Sequence, residues 1–595
     1  MGDLLNTALQ TIFDSLPGFP QAEYREWIAA NAPDSREMSG LSRALERLVD
    51  PPQLEVLLAS GADITGLLAT LDSLSRQVWP NFTISIGCAP CDLLDLQRLI
   101  DALAITQPSI RLVPIDAPAG EVLAFDRALL EAARGDYIAF LAPADIVPVQ
   151  ATAEIVLALS RLPETVVIFT DEDWIDAHGL RSRPRFKHGW DFDAQLGFDL
   201  MGRFSPMLRT AALAAGGLPR QAGLAAHYAL HCRLAEMAGP SRIVHIPSIL
   251  RHAARQRVTS AELAGAYTAS ARAVAQEAAR RWEGVNVVVR AAPLATWFNR
   301  IEWPLPDPAP LVSILLPTRD RPELLETSAL GVLEKTDYPA IELLILDNGS
   351  VEPETTALFD RLARDPRVRV LPMPGPFNYA KLNNDAAAVA RGEILVLLNN
   401  DVEMIGVDWL REMVSLAVRP EIGCVGAKLL YSDHRIQHAG INMAARTGCA
   451  HVGRLCRHTE SGDMGLLAVT RTHSAVTGAC LAIRAEVFAE IGGLDEVAFQ
   501  VGYNDVDMCL RARDHGYRSV CSPFATLFHL ESISRSAQED APKRAREHAE
   551  IGRILGRWRE VFLDDPHQNP NTLLTWDGTP RLVESRRLQE WDELR

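Results

Sequence analysis

A set of short segments occurs twice along this chain in the same order, and this repetition limits the possible folds more than any other feature. A glycine that leads into an apolar run occurs in residues 134–138 and again in 391–395, and a glycine pair occurs at 216–217 and again at 492–493. Three single residues keep the same order in the two halves: Asp145 with Asp401, Arg233 with Arg511, and His252 with His529. Because such an ordered set is hard to obtain by chance, we predict two copies of one domain of roughly 230 to 250 residues.

Strand-like and helix-like segments alternate in both halves. The predicted strands are 54–58, 83–86 and 137–141 in the first half, and 311–316, 341–346, 368–371, 394–398 and 525–528 in the second. The predicted helices are 64–78, 322–335, 378–391 and 508–515. Since strands that alternate with helices form mostly parallel sheets, the predicted fold class is α/β, with two Rossmann-like domains in tandem.

Prolines and helical patterns set the predicted domain boundaries. Residues 1–50 show helical spacing of apolar side chains up to a proline pair, so they form a helical N-terminal extension. The first domain then covers 51–255. Residues 256–310 hold a long helix, 261–282, and a linker with four prolines in its last eight residues, which suits neither a helix nor a central strand. The second domain covers 311–540, and residues 541–595 form a C-terminal helical tail.

Charge, apolar runs and cysteines restrict the partners and the compartment. The formal net charge of −17 excludes general nucleic-acid binding, because phosphate affinity needs clustered Lys and Arg. No secretory signal opens the sequence, and no run of about 18 apolar residues occurs in it. Nine scattered cysteines, with a single CxxC pair at Cys88 and Cys91, indicate reduced thiols. We therefore expect a cytoplasmic protein.

Carboxylates of the second half gather at the ends of its predicted strands. Asp347 and Asp401 each follow a strand, Asp505 precedes a helix, and His529 ends another strand. Each of these aspartates alone is equally typical of a helix cap or a turn. Because ligands of open α/β sheets bind at the carboxyl ends of the strands, the set together predicts a divalent ion that holds a diphosphate, with a further carboxylate as a base.

Five segments of the second half resemble glycosyltransferase family 2: residues 312–320, 346–350, 398–401, 477–480 and 503–511. Their order and spacing extend the resemblance over residues 311 to 535, and the set is specific although each fragment alone is not. The resemblance implies a GT-A fold and an inverting transfer from a nucleotide-diphospho-sugar.

The resemblance also implies roles by position. Asp505 is the catalytic base, and Asp401, the one carboxylate left where the family has Asp-x-Asp, binds Mn²⁺ or Mg²⁺ together with His529. Asp347 binds the base of the nucleotide. The full set of expected nucleotide-sugar-binding residues is Pro317, Thr318, Asp320, Asp347, Asn383, Asn399 and Asn400. We place His438, Asn504 and the loop 446–471 on the acceptor side; the histidines of this region are surface or acceptor-side residues rather than a second metal site.

The first half resembles the same family in a degenerate form. The strand end at 84–88 lacks the base-binding acid, residues 142–145 keep only Asp145, and residues 226–230 lack the catalytic acid. We predict that this half is inactive and binds acceptor glycan or braces the second half. The alternative is a second active centre that uses Asp171, Glu172 and Asp173, which makes the protein a bifunctional transferase.

Alternatives remain for the role of the tail helix and for the function of the chain. Residues 541–562 predict an amphipathic helix whose basic stretch, 543–559, is a solvated face or contacts an anionic membrane surface peripherally. The predicted function is transfer of a sugar to a glycan or lipid-linked acceptor in bacterial surface polysaccharide synthesis. The rival is a non-catalytic glycan-binding protein. A nucleotidyltransferase is disfavoured because residues 317–322 are not a Gly-rich phosphate loop.

Overall fold

A computed structural model describes residues 3–583, apart from 61–62, 104, 118–120, 257–258, 445–447, 531–540 and 576–579. Two large mixed sheets dominate it, one in each half. Each contains the parallel strands that the alternating sequence pattern predicts.

The sheet of the first half has four parallel strands followed by antiparallel additions. In spatial order its strands are Ser109–Pro114, Thr83–Cys88, Leu54–Ala59, Tyr137–Leu141, Met207–Leu208, Val167–Ile175 and Arg181–Arg185, with Ile243–Ala254 parallel to Val167–Ile175.

The sheet of the second half repeats this order. Its strands are Val368–Pro372, Ile341–Asp347, Val312–Thr318, Ile394–Leu398, Cys480–Arg484, Ile422–Leu430, Arg518–His529 and Val402–Met404, with Ile436–His438 and Arg471–His473 on its margin. In both sheets the fourth strand is antiparallel to its next neighbour, and a twelve-residue strand runs parallel to a nine-residue one. The sequence repeat therefore corresponds to one strand order that is built twice.

Helices cover the two sheets. Those of the first half are Ile64–Ser75, Leu93–Leu103, Val122–Ala132, Ala151–Arg161, Phe192–Gly197, Arg209–Ala214 and Ala226–Ala238; those of the second are Pro322–Glu334, Pro353–Leu362, Tyr379–Ala387, Trp409–Ala417, Ala485–Glu490 and Asn504–Asp514. Three helical boundaries differ from prediction by three residues or more. Ile64–Ser75 stops three residues before the predicted end at 78. Tyr379–Ala387 stops four residues early, and the helix predicted at 508–515 begins at Asn504, directly after Tyr503, whose φ is 61°.

The segments outside the two sheets contain more than helices. The helices Leu4–Asp14, Gln21–Ala30 and Ser35–Glu46 form the expected N-terminal extension, and Ala261–Glu283 is the long connecting helix. The prediction of only a helix and a linker for 256–310 is wrong, since Val288–Ala292 and Ala295–Glu302 pair as a hairpin.

The prediction of a wholly helical tail is also wrong. After Ala541–Arg557 and Arg559–Leu563 come two three-residue strands, Thr572–Leu574 and Pro580–Leu582, which pair with each other. Strands this short carry too few residues for an alternating pattern to be recognised.

The two halves pack directly on each other, and one hydrophobic cluster contains buried residues from both. Asp193 of the first half lies 2.6 Å from Arg419 and 2.7 Å from Arg518 of the second. The tail returns to the first half, where the Asn569 side chain donates to Asp171 (2.7 Å) and to the Lys187 carbonyl (2.6 Å). The boundaries proposed for the domains therefore separate sequence repeats that share one core.

Candidate active site

Two parallel strands bring the first candidate residues together. Val312–Thr318 and Ile341–Asp347 pair so that Thr318 is the register partner of Asp347, with Pro317 one residue before it. The Asp347 carboxylate accepts the Ser350 amide N–H at 2.8 Å, which fixes the turn after its strand. Asp347 remains partly exposed at the carboxyl edge of the sheet, where ligands of such folds bind.

Asp320 connects the loops that follow these two strands. Its carboxylate accepts the amide N–H groups of Glu352 (2.9 Å) and Val351 (2.8 Å), and its own N–H donates to the Ser350 hydroxyl. These backbone donors lower the pKa of Asp320. Its carboxylate therefore shapes the rim of the site, and its φ of 54° marks a sharp turn there.

Asparagines at the end of the next strand extend the same edge. The Asn400 amide donates to the Thr318 hydroxyl at 3.0 Å. Asn383 is fully buried in the helix Tyr379–Ala387 and donates to the Tyr379 carbonyl at 2.8 Å, whereas its side-chain oxygen has no partner among the described residues.

The strongest feature of the edge is the pair Asp401 and His529. The strand Val402–Met404 pairs with the end of Arg518–His529, and this register places Asp401 Oδ1 3.1 Å from His529 Nε2. His529 Nδ1 lies 2.6 Å from Gln437 Oε1, so this nitrogen carries the proton and donates it to the amide oxygen. The Asn399 amide donates to Nε2 at 3.3 Å. In this tautomer, lone pairs of a carboxylate and an imidazole face each other.

This donor set fits a divalent ion. Two acceptors 3.1 Å apart can share a cation, and a carboxylate oxygen with an imidazole nitrogen suits a divalent metal ion. Gln437 supplies the outer hydrogen bond that metal-binding histidines generally make. Among the described residues no group of three or more His, Cys, Asp or Glu side chains gathers around one point, so a metal here needs further ligands from a substrate.

Asp505 lies in the first turn of Asn504–Asp514. Its Oδ2 accepts the Gly478 amide N–H at 2.8 Å, and its Oδ1 accepts that of Val506 at 2.8 Å. Burial raises the pKa of Asp505, although these donors oppose the rise. The Tyr379 hydroxyl donates to the Gly478 carbonyl at 2.9 Å and so holds the same loop. A carboxylate with a raised pKa is suited to accept a proton.

A short stretch of backbone connects Asp505 to the pair Asp401 and His529. The Asn399 N–H donates to the Ala479 carbonyl at 3.0 Å, and Ala479 directly follows Gly478, which holds Asp505. The site is therefore continuous from Asp347 through Thr318, Asn400 and His529 to Asp505.

The two residues expected on the acceptor side are buried supports. His438 is fully buried, with Nδ1 2.9 Å from His451 Nδ1 and with Nε2 accepting the N–H groups of Gly440 (3.3 Å) and Thr477 (3.4 Å). Burial lowers the pKa of His438 far below its ordinary value. Asn504 donates to the Val501 carbonyl at 2.9 Å.

Sequence reasoning missed three supporting residues. Gln437, Tyr379 and Glu550 all lie outside the five segments that carry the family resemblance. The Glu550 carboxylate accepts the N–H groups of Val501 and Gly502, both at 3.2 Å, just before Asp505. No local signal identifies such a contact, because its partners are about 50 residues apart in the chain.

The equivalent edge of the first half is closed by its own side chains. Asp145 is fully buried and accepts from Arg251 Nε (2.9 Å) and from Asn6 of the N-terminal helix (3.3 Å). Arg251 also donates to Glu172 at 2.8 Å. Asp145 therefore faces the guanidinium of Arg251, whereas Asp401 of the second half faces the imidazole of His529.

The carboxylates that a second active centre requires are all engaged. Burial alone raises the pKa of Glu172, but the charges of Lys187, Arg185 and Arg251 hold it well below its ordinary value. Asp173 accepts from His252 (2.5 Å), Arg181 (2.7 Å) and Tyr24. Asp171 accepts from the Lys187 N–H and lies 2.9 Å from His245.

An α/β unit with carboxylates and an imidazole at the ends of its parallel strands defines a class of proteins that bind nucleotide-type ligands at this edge. Within that class, residues 313–492 match the family described as Glycosyl transferase family 2. The match lies wholly within the second half of the chain.

Two curated proteins are similar along most of the chain. The chain is 35% identical over 562 residues to the O-antigen biosynthesis protein RfbC of Myxococcus xanthus, which covers 93% of this chain and 43% of that protein. It is 34% identical over 539 residues to the protein y4gI of Sinorhizobium fredii, which covers 90% of this chain and 59% of that protein. The chain thus spans about half the length of these relatives.

Solved structures also align with part of the chain. The mannosyltransferase PcManGT of Pyrobaculum calidifontis, in complex with GDP-Man and Mn²⁺, aligns with a TM-score of 0.31 at 19% identity, over 43% of this chain and 67% of that one. GalNAc-T7 with UDP, GalNAc and Mn²⁺ aligns with a TM-score of 0.34 at 17% identity, over 43% and 49%. Within the described ranges, none of the helices combines the length and apolar character that crossing a membrane requires.

Proposed function

We propose that the second half catalyses the inverting transfer of a sugar from a nucleotide-diphospho-sugar to a hydroxyl group of a glycan or lipid-linked acceptor. The observation that carries the proposal is the facing pair Asp401 and His529, 3.1 Å apart, on one continuous edge with Asp347 and Asp505. A non-catalytic glycan-binding protein has no use for this set.

The donor extends along the edge. Asp347 hydrogen-bonds the nucleotide base, and Pro317, Thr318 and Asp320 line the nucleoside pocket. Asn383, Asn399 and Asn400 contact the sugar and diphosphate side. Asp401 and His529 hold Mn²⁺ or Mg²⁺, which stabilises the charge that the leaving nucleoside diphosphate gathers.

Asp505 takes the proton of the attacking hydroxyl. The acceptor oxygen forms the new bond to the anomeric carbon while the bond to the diphosphate oxygen breaks, and the nucleoside diphosphate leaves with both electrons of that bond. His438 and Asn504 act from beneath the acceptor by holding the loops of Thr477 and Val501. The raised pKa of Asp505 supports its role as the base.

The first half supplies no second transfer centre in this proposal. Its remaining acids are bound to Arg251, Arg185, Lys187 and His252, which favours a bracing or acceptor-binding role over the bifunctional alternative. In this proposal residues 51–255 form the half without transfer activity, and residues 311–540 form the catalytic half.

The biological setting follows from the relative named for O-antigen biosynthesis. We infer a role in bacterial surface polysaccharide synthesis on the cytoplasmic side, with peripheral membrane contact as the means of reaching a lipid-linked acceptor. On the helix Ala541–Arg557, Ile554 is buried against the protein, whereas Ile551 and Leu555 are exposed and available for such contact.

A screen of nucleotide sugars tests the function. The full chain is incubated with UDP-, GDP- and dTDP-sugars, with Mn²⁺, with Mg²⁺ and with EDTA, and release of nucleoside diphosphate is measured. We expect turnover of one donor class that EDTA abolishes and Mn²⁺ restores. If the chain binds glycans but neither turns over nor binds any nucleotide sugar of the panel, the proposal is overturned in favour of the non-catalytic glycan-binding protein.

A further inference from the structure

A cavity of about 370 Å³ lies where four parts of the chain meet. Its walls come from the segment between the first two helices, the first half near Phe186, the second-half loop up to Arg471, and the tail after His567. Asp347, Asp401, Asp505 and His529 do not line it, so it is separate from the site described above. Its size is in the range of small-ligand sites and suits one or two sugar rings.

The cavity is lined by a buried cation, Arg471, which forms no ion pair with a carboxylate of the described residues. Arg471 is only 5% exposed, and its Nη2 donates a hydrogen bond to the His567 carbonyl at 3.4 Å. Its Nε has no hydrogen-bond partner, and no carboxylate within the described ranges forms an ion pair with it. Burial lowers the pKa of Arg471. An unpaired buried charge is costly, so natural proteins generally pair it or reserve it for a ligand.

The nearest acids are already engaged by other groups. Asp191 accepts both the amide and the hydroxyl of Thr472, at 2.7 and 3.0 Å. Asp565 accepts the Ser474 hydroxyl at 2.7 Å and the His567 amide at 2.8 Å. Neither carboxylate forms an ion pair with Arg471, although the charges of both act on its guanidinium.

A second buried polar residue, His188, also lines the cavity. His188 is 2% exposed, and its Nδ1 lies 2.8 Å from the Gly189 carbonyl, so Nδ1 carries the proton. Its Nε2 is then an acceptor, and it has no partner among the described residues. Burial, with the charge of Arg471, keeps the pKa of His188 far below its ordinary value, so the ring stays neutral. The Nδ1 of His567 is a third polar atom without a partner there.

The remaining walls are apolar. Phe19 and Phe186 meet edge to face with centroids 5.8 Å apart, and Leu467 lies opposite in the same cavity. Three acids also line the cavity: burial raises the pKa of Asp463 to about 7, Glu23 lies 3.9 Å from Arg581, and Glu460 is exposed. The cavity thus offers one cation and aromatic surface.

We propose that this cavity binds an acidic sugar unit, a ring that carries a carboxylate or phosphate, as part of the acceptor glycan. Arg471 pairs with the anionic group, and Phe19 and Phe186 cover the apolar face of the ring. The assignment to the acceptor rests on the proposed function, whereas the binding of an acidic sugar does not.

The test measures sugar binding to the full chain without any donor. D-Glucuronate, D-galacturonate, D-glucose 6-phosphate and D-glucose are titrated by ligand-observed NMR and calorimetry against the wild type, Arg471→Gln and the control Arg364→Gln, whose side chain is exposed on the second half. We expect an acidic sugar to bind better than glucose, and Arg471→Gln to weaken it about tenfold or more, as charge-assisted hydrogen bonds do. The uronate and phosphate arms decide which anion the site prefers.

Further readouts separate the site from the fold and from the reaction. Because Arg471 lacks an ion pair, Arg471→Gln should melt no lower than the wild type, and it should bind UDP or GDP with Mn²⁺ unchanged. Equal binding of glucose and acidic sugars, or no loss in Arg471→Gln, overturns the proposal. If the chain turns over a donor but binds no acidic sugar, the acidic-sugar site is refuted and the proposed function stands. If it binds an acidic sugar but turns over no donor, the proposed function is refuted and the binding site stands.

Discussion

At the scale of single residues, the two halves differ in the side chain that faces the aspartate after the fourth strand. In the second half Asp401 faces the imidazole of His529, and both can bind one ion. In the first half Asp145 faces the guanidinium of Arg251, which supplies the positive charge itself and leaves no ligand for a metal. The residue that repeats His529 in the first half, His252, lies 2.5 Å from Asp173 instead.

Asp505→Asn should abolish transfer while nucleotide binding stays near wild type. In the proposed function this residue accepts the proton of the acceptor hydroxyl, and loss of a general base costs about 10²- to 10⁴-fold in rate. The measurement is kcat for transfer together with the Kd for UDP or GDP. The matched control is Asp514→Asn on the same helix, where the side chain is exposed. Transfer by Asp505→Asn at the control's rate refutes the assignment.

The rate of transfer should fall on the acid side at a pH above the ordinary range of aspartate. A base must be ionised to work, and burial raises the pKa of Asp505, so protonation inactivates it at a higher pH than it does an exposed aspartate of pKa about 3.9. A profile of kcat/KM against pH shows the limb. A rate that stays level down to about pH 4 assigns the base to another group.

Asp401→Ala and His529→Ala should each weaken the Mn²⁺-dependent binding of nucleoside diphosphate. Gln437→Leu should weaken it as well, by about 10- to 100-fold, because it removes the outer hydrogen bond that orients the imidazole. Titrations with and without Mn²⁺ separate metal-linked from direct binding. If all three variants keep the wild-type response to Mn²⁺, the metal lies elsewhere.

At the scale of elements, the sequence predicted the central parallel strands of both halves, because apolar runs next to Gly and Asp are strong signals. It did not predict the hairpin Val288–Ala292 with Ala295–Glu302 or the strands of the tail, which are half exposed and short. The candidate site followed from strand ends, whereas its supports, Gln437 and Glu550, depend on contacts between distant segments that no local pattern records.

Glu550→Ala should lower kcat about tenfold or more with little change in nucleotide binding. The variant leaves the N–H groups of Val501 and Gly502 without their acceptor, a loss of about 1–3 kcal/mol for a buried group, and frees the loop before Asp505. The tail helix would thereby position the base without touching substrate. Glu550→Gln should restore part of the rate, since its amide oxygen still accepts.

The control for this role is Glu547→Ala, an exposed residue of the same helix. If Glu550→Ala lowers the melting temperature but leaves kcat and KM at the level of Glu547→Ala, Glu550 only stabilises the fold.

At the scale of the whole molecule, the two halves and the tail form one packed unit. Arg419 and Arg518 of the second half form ion pairs with Asp193 of the first. The tail residue Asn569 donates a hydrogen bond to Asp171. The N-terminal helix reaches the degenerate edge through Asn6 and through Asp3, which pairs with Arg203. The first half is therefore built into the structure at three places, as expected of a brace rather than an independent enzyme.

The last prediction concerns this half and uses the full chain, because its core is shared. Arg251→Ala should lower the free energy of unfolding by about 3–5 kcal/mol, since it leaves Asp145 and Glu172 buried without their cation. The measurement is the urea midpoint beside the control Arg98→Ala, whose side chain is exposed and whose loss should be nearly neutral. Combining Arg251→Gln with Asp145→Asn should recover part of the loss, because an amide pair carries no buried charge. The full chain with Asp505→Asn should show no donor turnover from the first half at all. If Arg251→Ala is as stable as Arg98→Ala and gains metal-dependent nucleotide binding, the first half holds a latent site, and the division of labour between the halves is wrong.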